Sequence, residues 1–203
     1  MKKRIPAMLL SLALILAMLP AVAAPAKAVD NSNLSFTNGN QAYCPVCKKT
    51  VTWTALSGAL ASTKWLQSGG HYYLSGDVTY AGTDQAIYSP TGSVSRTACL
   101  HLNGHNITAT SGKAIHCGDA TLNIMGNGRV SGSGTAYGGA TINTWGNGTL
   151  NIYSGTFTQP AGSGLPHKGG LIYQSAGEFN FYGGTIVGGQ ATVKDASTSG
   201  MGG

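Results

Sequence analysis

Short stretches of alternating apolar and polar residues recur through the second half of the chain. Each stretch reads apolar, polar, apolar, then a glycine-containing turn, then a β-branched or aromatic residue. Alternation with a period of two is typical of a β-strand with one buried face, and the glycines supply the positive φ values that sharp bends require. The stretches cover residues 100–107, 122–130, 150–157 and 179–186, so that their starts lie 22, 28 and 29 residues apart.

A second, weaker set of strands lies between these stretches, at 114–116, 141–143 and 171–173. Two or three short strands per repeat, with no helical pattern between them, predict one coil of a β-solenoid. Crossovers between parallel strands are overwhelmingly right-handed, so we predict an all-β fold, a right-handed parallel β-helix of about four coils. An antiparallel β-sandwich also has short strands and turn signals, but it does not explain why one pattern returns on one face.

The alignment of the repeats also predicts which side chains stack on one another. The first inward column is expected to contain Leu100, Leu122, Leu150 and Phe179. The second is expected to contain Leu102, Ile124, Ile152 and Phe181. An outward column is expected from His101, Asn123, Asn151 and Asn180.

The first 28 residues have the pattern of a secretory signal. Lys2, Lys3 and Arg4 precede the apolar run 8–19, and a small-residue cleavage site ends at Ala28. The run is short for a membrane span, which takes roughly 20 apolar residues. We therefore expect a secreted or cell-surface protein of the bacterial envelope, with membrane contact only if the signal segment stays uncleaved.

Four regions follow from these patterns. They are a signal peptide at 1–28, a segment with a Cys-x-x-Cys motif and a linker at 29–69, the β-helix at 70–193, and an open tail at 194–203. The tail ends the repeats without a cap, although solenoids need capped ends. A fragment of a longer surface protein and an end that pairs with another chain are the two interpretations, and the first is favoured.

The charge of the chain gives no support to nucleic-acid binding. The formal net charge is +6, and only 9% of residues are charged. Removal of the signal peptide leaves eight basic and six acidic residues, a net charge of +2. The remaining cations are scattered along the sequence, whereas a nucleic-acid interface needs a clustered basic face.

Two cysteines offer the clearest candidate chemistry. Cys44 and Cys47 form a Cys-Pro-Val-Cys turn with the shape of a zinc knuckle. Cys99 and Cys117 are the remaining thiols, and His71 is the nearest histidine, but their spacing matches no common zinc module. An exported protein also permits a disulfide. A structural zinc ion and a disulfide therefore both stay open, and no other cofactor is expected.

Aromatic residues suggest a ligand surface. Tyr153 and Tyr182 occupy matching positions in consecutive coils, and we expect Trp145 to lie near them on the outer surface. Such a strip can stack against sugar rings, although stacked aromatic residues also stabilise packing between coils. We expect an extracellular or cell-wall glycan as the partner.

The acidic residues do not resemble a catalytic set. Polysaccharide hydrolysis needs a pair of carboxylates, and calcium-dependent lyases need several oxygen ligands in one place. Asp30, Asp77, Asp84, Asp119, Glu178 and Asp195 are instead dispersed, with no two in one column of adjacent coils. The absence of clustered carboxylates favours a protein that is not an enzyme.

The motifs resemble those of a known family. Cys44-Pro-Val-Cys-Lys-Lys-Thr-Val-Thr-Trp53, Gly70-His-Tyr-Tyr-Leu-Ser-Gly-Asp-Val78 and Cys99-Leu-His-Leu-Asn-Gly-His-Asn-Ile-Thr108 are similar to segments of bacterial cell-surface proteins of the pectate-lyase-like β-helix group, as found in Firmicutes. The resemblance covers about residues 43 to 190. It implies the β-helix fold and a place at the bacterial cell surface, and it identifies an activity poorly. Together with the dispersed acidic residues, it favours an exported, non-catalytic, adhesin-like or scaffold protein. A polysaccharide lyase or glycoside hydrolase of this fold and a self-assembling structural solenoid are the alternatives.

Overall fold

The computed structural model describes residues 29, 32–66, 69–89, 96–134, 141–159 and 170–189, and in these ranges it contains seventeen β-strands and no helix. The strands are β1 Gln41–Cys44, β2 Lys49–Thr52, β3 Thr54–Leu60, β4 Lys64–Trp65, β5 Gly70–Tyr80, β6 Gln85–Tyr88, β7 Thr97–His101, β8 Ile107–Ala109, β9 Lys113–Cys117, β10 Thr121–Met125, β11 Arg129–Gly132, β12 Ile142–Thr144, β13 Thr149–Ile152, β14 Thr156–Thr158, β15 Ile172–Gln174, β16 Glu178–Phe181 and β17 Thr185–Val187.

All strands from β3 onward pair in parallel, and the predicted parallel β-solenoid is confirmed. One sheet runs β16-β13-β10-β7-β5 on one side and β5-β8-β11-β14-β17 on the other. The long β5 serves both halves, because its first residues pair with β7 and its last residues pair with β8. The third column, β15-β12-β9-β6-β4, forms a separate sheet. A complete coil such as β10-β11-β12 therefore contributes one strand to each of three faces.

The core is made of stacked aliphatic side chains, and most of the predicted inward columns are correct. Leu122 pairs with Leu150, which pairs with Phe179, and Ile124 pairs with Ile152, which pairs with Phe181. The weaker strand set is confirmed as well. Ile142 of that set pairs with Ile115 on one side and with Ile172 on the other.

The first repeat was aligned wrongly by two residues. Leu100 pairs with Ile124, and Ala98 occupies the position opposite Leu122. Leu102 lies beyond the end of β7, where it is fully buried. A shift of two residues keeps every side chain on the same face of the sheet, so the apolar pattern alone cannot distinguish the two registers.

The correction changes the outward column. His101 faces Met125, and Cys99 takes the place opposite Asn123 that His101 was expected to hold. His71 pairs with Cys99 on the other side. The outward column is therefore His71, Cys99, Asn123, Asn151 and Asn180.

The solenoid begins at Thr54, earlier than the predicted boundary at residue 70, because β3 pairs with β5 along both halves of that strand. Before it, β1 and β2 form an antiparallel hairpin. This hairpin lies on the outer face of the first column, where it covers a second apolar cluster. The buried members of that cluster are Ala42, Cys44, Trp53, Tyr73, Cys99 and Met125.

Glycines permit close contact between the turns of successive coils. A Cβ atom on Gly148 would collide with the backbone oxygen of Gly118 in the preceding coil. Gly177 stands in the same relation to Gly148 and has φ of +74°, in the left-handed region. These positions exclude a side chain, which explains the glycine punctuation of the repeats.

Several predictions concern residues outside the described ranges. They are the signal peptide at 1–28, the last residues of the predicted β-helix at 190–193 and the open tail at 194–203. Within the described ranges, no helix has the length and apolar character needed to span a membrane.

Replacement of a stacked isoleucine tests the columns. Ile124 is fully buried, whereas Ile186 is 42% exposed, so the same substitution can be made inside and outside the core. We expect Ile124→Ala to lower the free energy of unfolding by about 2–5 kcal/mol through lost burial and the cavity that remains. Ile186→Ala should lower it by less than about 1 kcal/mol. Urea denaturation measures both, and equal losses would contradict the core assignment.

Candidate metal centre

Four metal-binding side chains meet where the hairpin contacts the solenoid. Cys44 ends β1, and Cys47 lies in the turn between β1 and β2. His71 and Cys99 are cross-strand partners on β5 and β7, one coil apart. The candidate ligand atoms of all four residues lie within 4.8 Å of one another. Among the described residues, this is the one such group of histidine, cysteine and acidic side chains.

The turn between β1 and β2 directs both of its sulfur atoms to one side. The backbone N–H of Lys48 donates to the carbonyl oxygen of Cys44 at 2.7 Å, which closes the turn. The N–H of Cys47 donates to the Cys44 sulfur at 3.3 Å. Lys48 has φ of +56°, which lets the chain reverse into β2. The sequence Cys-Pro-Val-Cys-Lys thus folds locally into a two-sulfur knuckle.

The distances in the quartet fit a tetrahedral ion. The Sγ atoms of Cys47 and Cys99 are 3.7 Å apart, and the Cys47 Sγ is 3.2 Å from Nε2 of His71. A tetrahedral zinc ion with bonds of about 2.3 Å to sulfur separates two sulfur ligands by about 3.8 Å. A disulfide requires about 2.05 Å between its sulfur atoms, so Cys47 and Cys99 are separate thiols in this geometry.

The surroundings of the quartet are largely apolar and partly closed to water. Cys44 and Cys99 are buried, and Cys47 and His71 are half-buried. The edge of the Trp53 ring contacts His71, with ring centroids 5.1 Å apart, and the Trp53 Nε1–H donates to the Ala42 carbonyl at 3.1 Å. Trp53 therefore fixes the orientation of the imidazole and connects it to the hairpin.

The thiols of the quartet differ in acidity because they share protons. A hydrogen bond from Cys99 lowers the pKa of Cys44 to about 4, against the opposing effect of burial. Donation to Cys44 and burial both raise the pKa of Cys99. Burial also raises the pKa of Cys47, and the charge on Cys44 adds to that effect. Without a cation, the pocket favours one thiolate and resists a second, as expected for like charges at short range.

A ladder of asparagine side chains ends on Cys99. Nδ2 of Asn180 donates to Asn151 at 3.1 Å, and Nδ2 of Asn151 donates to Asn123 at 2.9 Å. Nδ2 of Asn123 then donates to the Cys99 sulfur at 3.6 Å. Every donor points toward the quartet, so the ladder stabilises negative charge on the Cys99 sulfur.

The structure separates Cys117 from the other cysteines. Cys117 belongs to the core inside the solenoid, and its thiol contacts the carbonyl oxygen of Ala120. Burial raises the pKa of this thiol to about 11. The sequence predicted Cys44 and Cys47 as ligands and named Cys99, Cys117 and His71 as possible partners, without selecting among them. The signal that selects Cys99 and His71 is that they are paired on adjacent strands, one coil apart.

The predicted aromatic strip divides into two places. Tyr153 and Tyr182 stack, with ring centroids 5.0 Å apart and an interplanar angle of 19°. Tyr153 also packs against the apolar cluster beneath the hairpin. Trp145 follows β12 in the other sheet, where it lines a groove with Tyr88 and His116. Sugar stacking by these residues stays a prediction.

The low pKa of Cys44 predicts that metal-free, reduced protein contains a thiolate at unusually low pH. Because the folded-state pKa is about 4, below the ordinary value of 9.0, we expect one thiolate to persist as the pH falls from 8 to about 5 and to be lost near 4. Ultraviolet thiolate absorbance measures this. The Cys44→Ser variant should show no thiolate at pH 6, and an unchanged titration in that variant would contradict the assignment. Cys117→Ala is the matched control and should titrate like the unmodified protein.

Comparison with known proteins adds no relative. No protein-family model, curated protein or solved structure matches the chain. The parallel solenoid and the Cys44, Cys47, His71 and Cys99 quartet therefore provide the basis for inference. Membership of the pectate-lyase-like group stays a prediction from the sequence motifs.

Proposed function

We propose that Cys44, Cys47, His71 and Cys99 bind one structural zinc ion that fastens the N-terminal hairpin to the outer face of the solenoid. The observation that carries the proposal is the meeting of these four ligand atoms within 4.8 Å. Three cysteines and one histidine are a common ligand set for structural zinc. Four protein ligands fill a tetrahedral site, which leaves no open position for a substrate.

Zinc accounts for more of the site than a disulfide does. A bridge between two cysteines would leave the third thiol and His71 without a role, whereas zinc uses all four side chains. The divalent charge also compensates the thiolates, which burial disfavours in the absence of a cation. The asparagine ladder donates to one of the sulfur ligands, as outer hydrogen bonds commonly do at metal sites.

The mechanical role of the ion follows from the weakness of a lone hairpin. A two-stranded hairpin is at best marginally stable in water. The ligands join positions that are 24 and 52 residues apart in sequence, and closing loops of that length by a metal restricts the unfolded chain. The ion therefore holds the hairpin over Trp53, Tyr73 and Met125, which would otherwise present apolar surface to water.

For the whole chain we propose an exported, non-catalytic surface scaffold of the pectate-lyase-like β-helix type. The N-terminal sequence pattern supports export. The acidic residues support a structural role. Asp77 accepts hydrogen bonds from Asn106, Asp119 accepts one from Asn147, and Glu178 accepts from Asn180 and Thr149. Each of these carboxylates thus holds a turn or a strand end.

Metal analysis of the full chain tests the zinc centre. We expect one zinc per chain, with its loss in Cys99→Ala and its retention in Cys117→Ala, which removes a buried thiol outside the quartet. Removal of zinc by a chelator should increase amide exchange in the hairpin, residues 41–52, far more than in β10. If Cys99→Ala misfolds, Co²⁺ added to the unmodified protein should give the absorption of a tetrahedral thiolate site. Absence of metal together with a mass deficit of two protons would show a disulfide and overturn the proposal.

The scaffold proposal predicts no turnover of polysaccharides. Reducing-end release and unsaturated-product absorbance should stay at the background level for pectins and other plant and bacterial polysaccharides, with and without added Ca²⁺. Turnover that Asp119→Asn or Asp84→Asn abolishes, in a variant with unchanged melting temperature, would identify a lyase or hydrolase instead.

A further inference from the structure

A stack of three rings lies on the outer face of the third column, away from the metal centre. Trp65 pairs with Tyr88 across β4 and β6, and Tyr88 pairs with His116 across β6 and β9. The ring centroids of Trp65 and Tyr88 are 4.1 Å apart, and those of Tyr88 and His116 are 4.4 Å apart with planes 14° from parallel. The strand spacing of a parallel sheet, about 4.8 Å, sets this stacking.

A groove of about 370 Å³ opens beside the stack. The groove is lined by three aromatic rings, one carboxylate and two glycines, which belong to Tyr88, His116, Trp145, Asp119, Gly118 and Gly146. Trp145 is 66% exposed, the most exposed of the large apolar side chains that the structure describes. A tryptophan with this much exposed surface contributes little to the stability of the fold, so packing does not explain why it is there.

Two glycines keep the groove open. A Cβ atom on Gly118 would stand 3.2 Å from the hydroxyl of Tyr88, and one on Gly146 would meet Oδ1 of Asp119. Gly146 has φ of +74°, which places Trp145 and Asn147 on either side of a tight turn. The N–H of Asn147 donates to Oδ1 of Asp119 at 3.1 Å and so orients the carboxylate.

The charge of the groove selects its ligand. Burial lowers the pKa of His116 to about 4, so this ring is neutral at physiological pH. Burial raises the pKa of Tyr88, and the charge of Asp119 raises it further, so the phenol stays protonated. Of the described lining residues, Asp119 alone carries a charge, and it is negative. Lys113 and Asp84 lie outside the lining, and their opposite charges act on His116 in opposite directions. An anionic ligand such as a uronic acid would be repelled.

We propose that this groove binds a pyranose unit of a neutral polysaccharide. The apolar face of the sugar ring stacks on Trp145, and the carboxylate of Asp119 accepts hydrogen bonds from the sugar hydroxyls. Aromatic walls with one well-placed polar group are typical of small-ligand sites, and the volume lies within the usual range. Neutral polysaccharide would then be the ligand of the proposed surface scaffold. The groove is independent of the zinc centre, because none of the residues that line the groove belongs to the quartet.

Calorimetric titration of the full chain with four oligosaccharides tests the proposal. Cellohexaose, mannohexaose and chitohexaose are the neutral probes, and hexagalacturonate is the acidic probe. We expect at least one neutral probe to bind with a dissociation constant on the order of 0.1–1 mM and the acidic probe to bind at least tenfold more weakly. Absence of binding by all three neutral probes, or preference for the acidic one, overturns the proposal.

Four variants locate the binding. Trp145→Ala and Asp119→Asn should each weaken binding about tenfold, through loss of stacking and of a charged acceptor respectively. Tyr43→Ala removes an exposed ring of the N-terminal hairpin, outside the groove, and should leave the affinity unchanged. A separate variant, Tyr182→Ala, tests the stacked pair of Tyr153 and Tyr182, and loss of binding in that variant alone would overturn the groove assignment. Melting temperatures and zinc content, measured on the same samples, separate misfolding or failure of the zinc centre from loss of the sugar site.

Discussion

The hydrogen-bonded stacking of one coil on the next is the constraint on which the rest of the molecule depends. Parallel pairing brings residues that are a coil apart in sequence to within one strand spacing in space. Repetition therefore creates columns, and a column can be aliphatic, amide or aromatic according to the residue that recurs. The aliphatic columns inside the solenoid form the core, whereas the outward columns contain the cysteine, histidine and aromatic side chains of the candidate sites. His71 with Cys99 and Tyr88 with His116 both arise from this rule.

The hairpin turns one outward face of the solenoid into an interior. Side chains such as Cys99 and Met125 point away from the core, yet they are buried because β1, β2 and Trp53 cover them. This arrangement requires polar groups in the covered face to find partners, and they do so in order along the column. The asparagines bond to one another, and the last of them bonds to Cys99. A covered face with satisfied polar groups is suited to hold an ion in low-dielectric surroundings.

Much of the fold could be predicted from sequence, because the period of two within strands and the repeat length both derive from local geometry. The stacked columns that contain Leu122 and Ile124 could be predicted directly from the apolar pattern of the repeats. The register of Leu100 could not be predicted, because a two-residue shift preserves the buried face of the strand. The position of the hairpin was also inaccessible, because its contacts with the solenoid are long-range. That limit explains why Cys44 and Cys47 were predicted as ligands, whereas Cys99 and His71 were named only as possible partners and could not be distinguished from Cys117.

The four residues of the quartet all come from the hairpin and from two adjoining coils, at β5 and β7. The later coils that the structure describes contribute no residue to the quartet. Gene duplication or deletion of a whole coil beyond β10 would therefore lengthen or shorten the solenoid without disturbing the proposed zinc site at its start. Evolution can in this way change the length of the solenoid independently of the proposed zinc site at its N-terminal end.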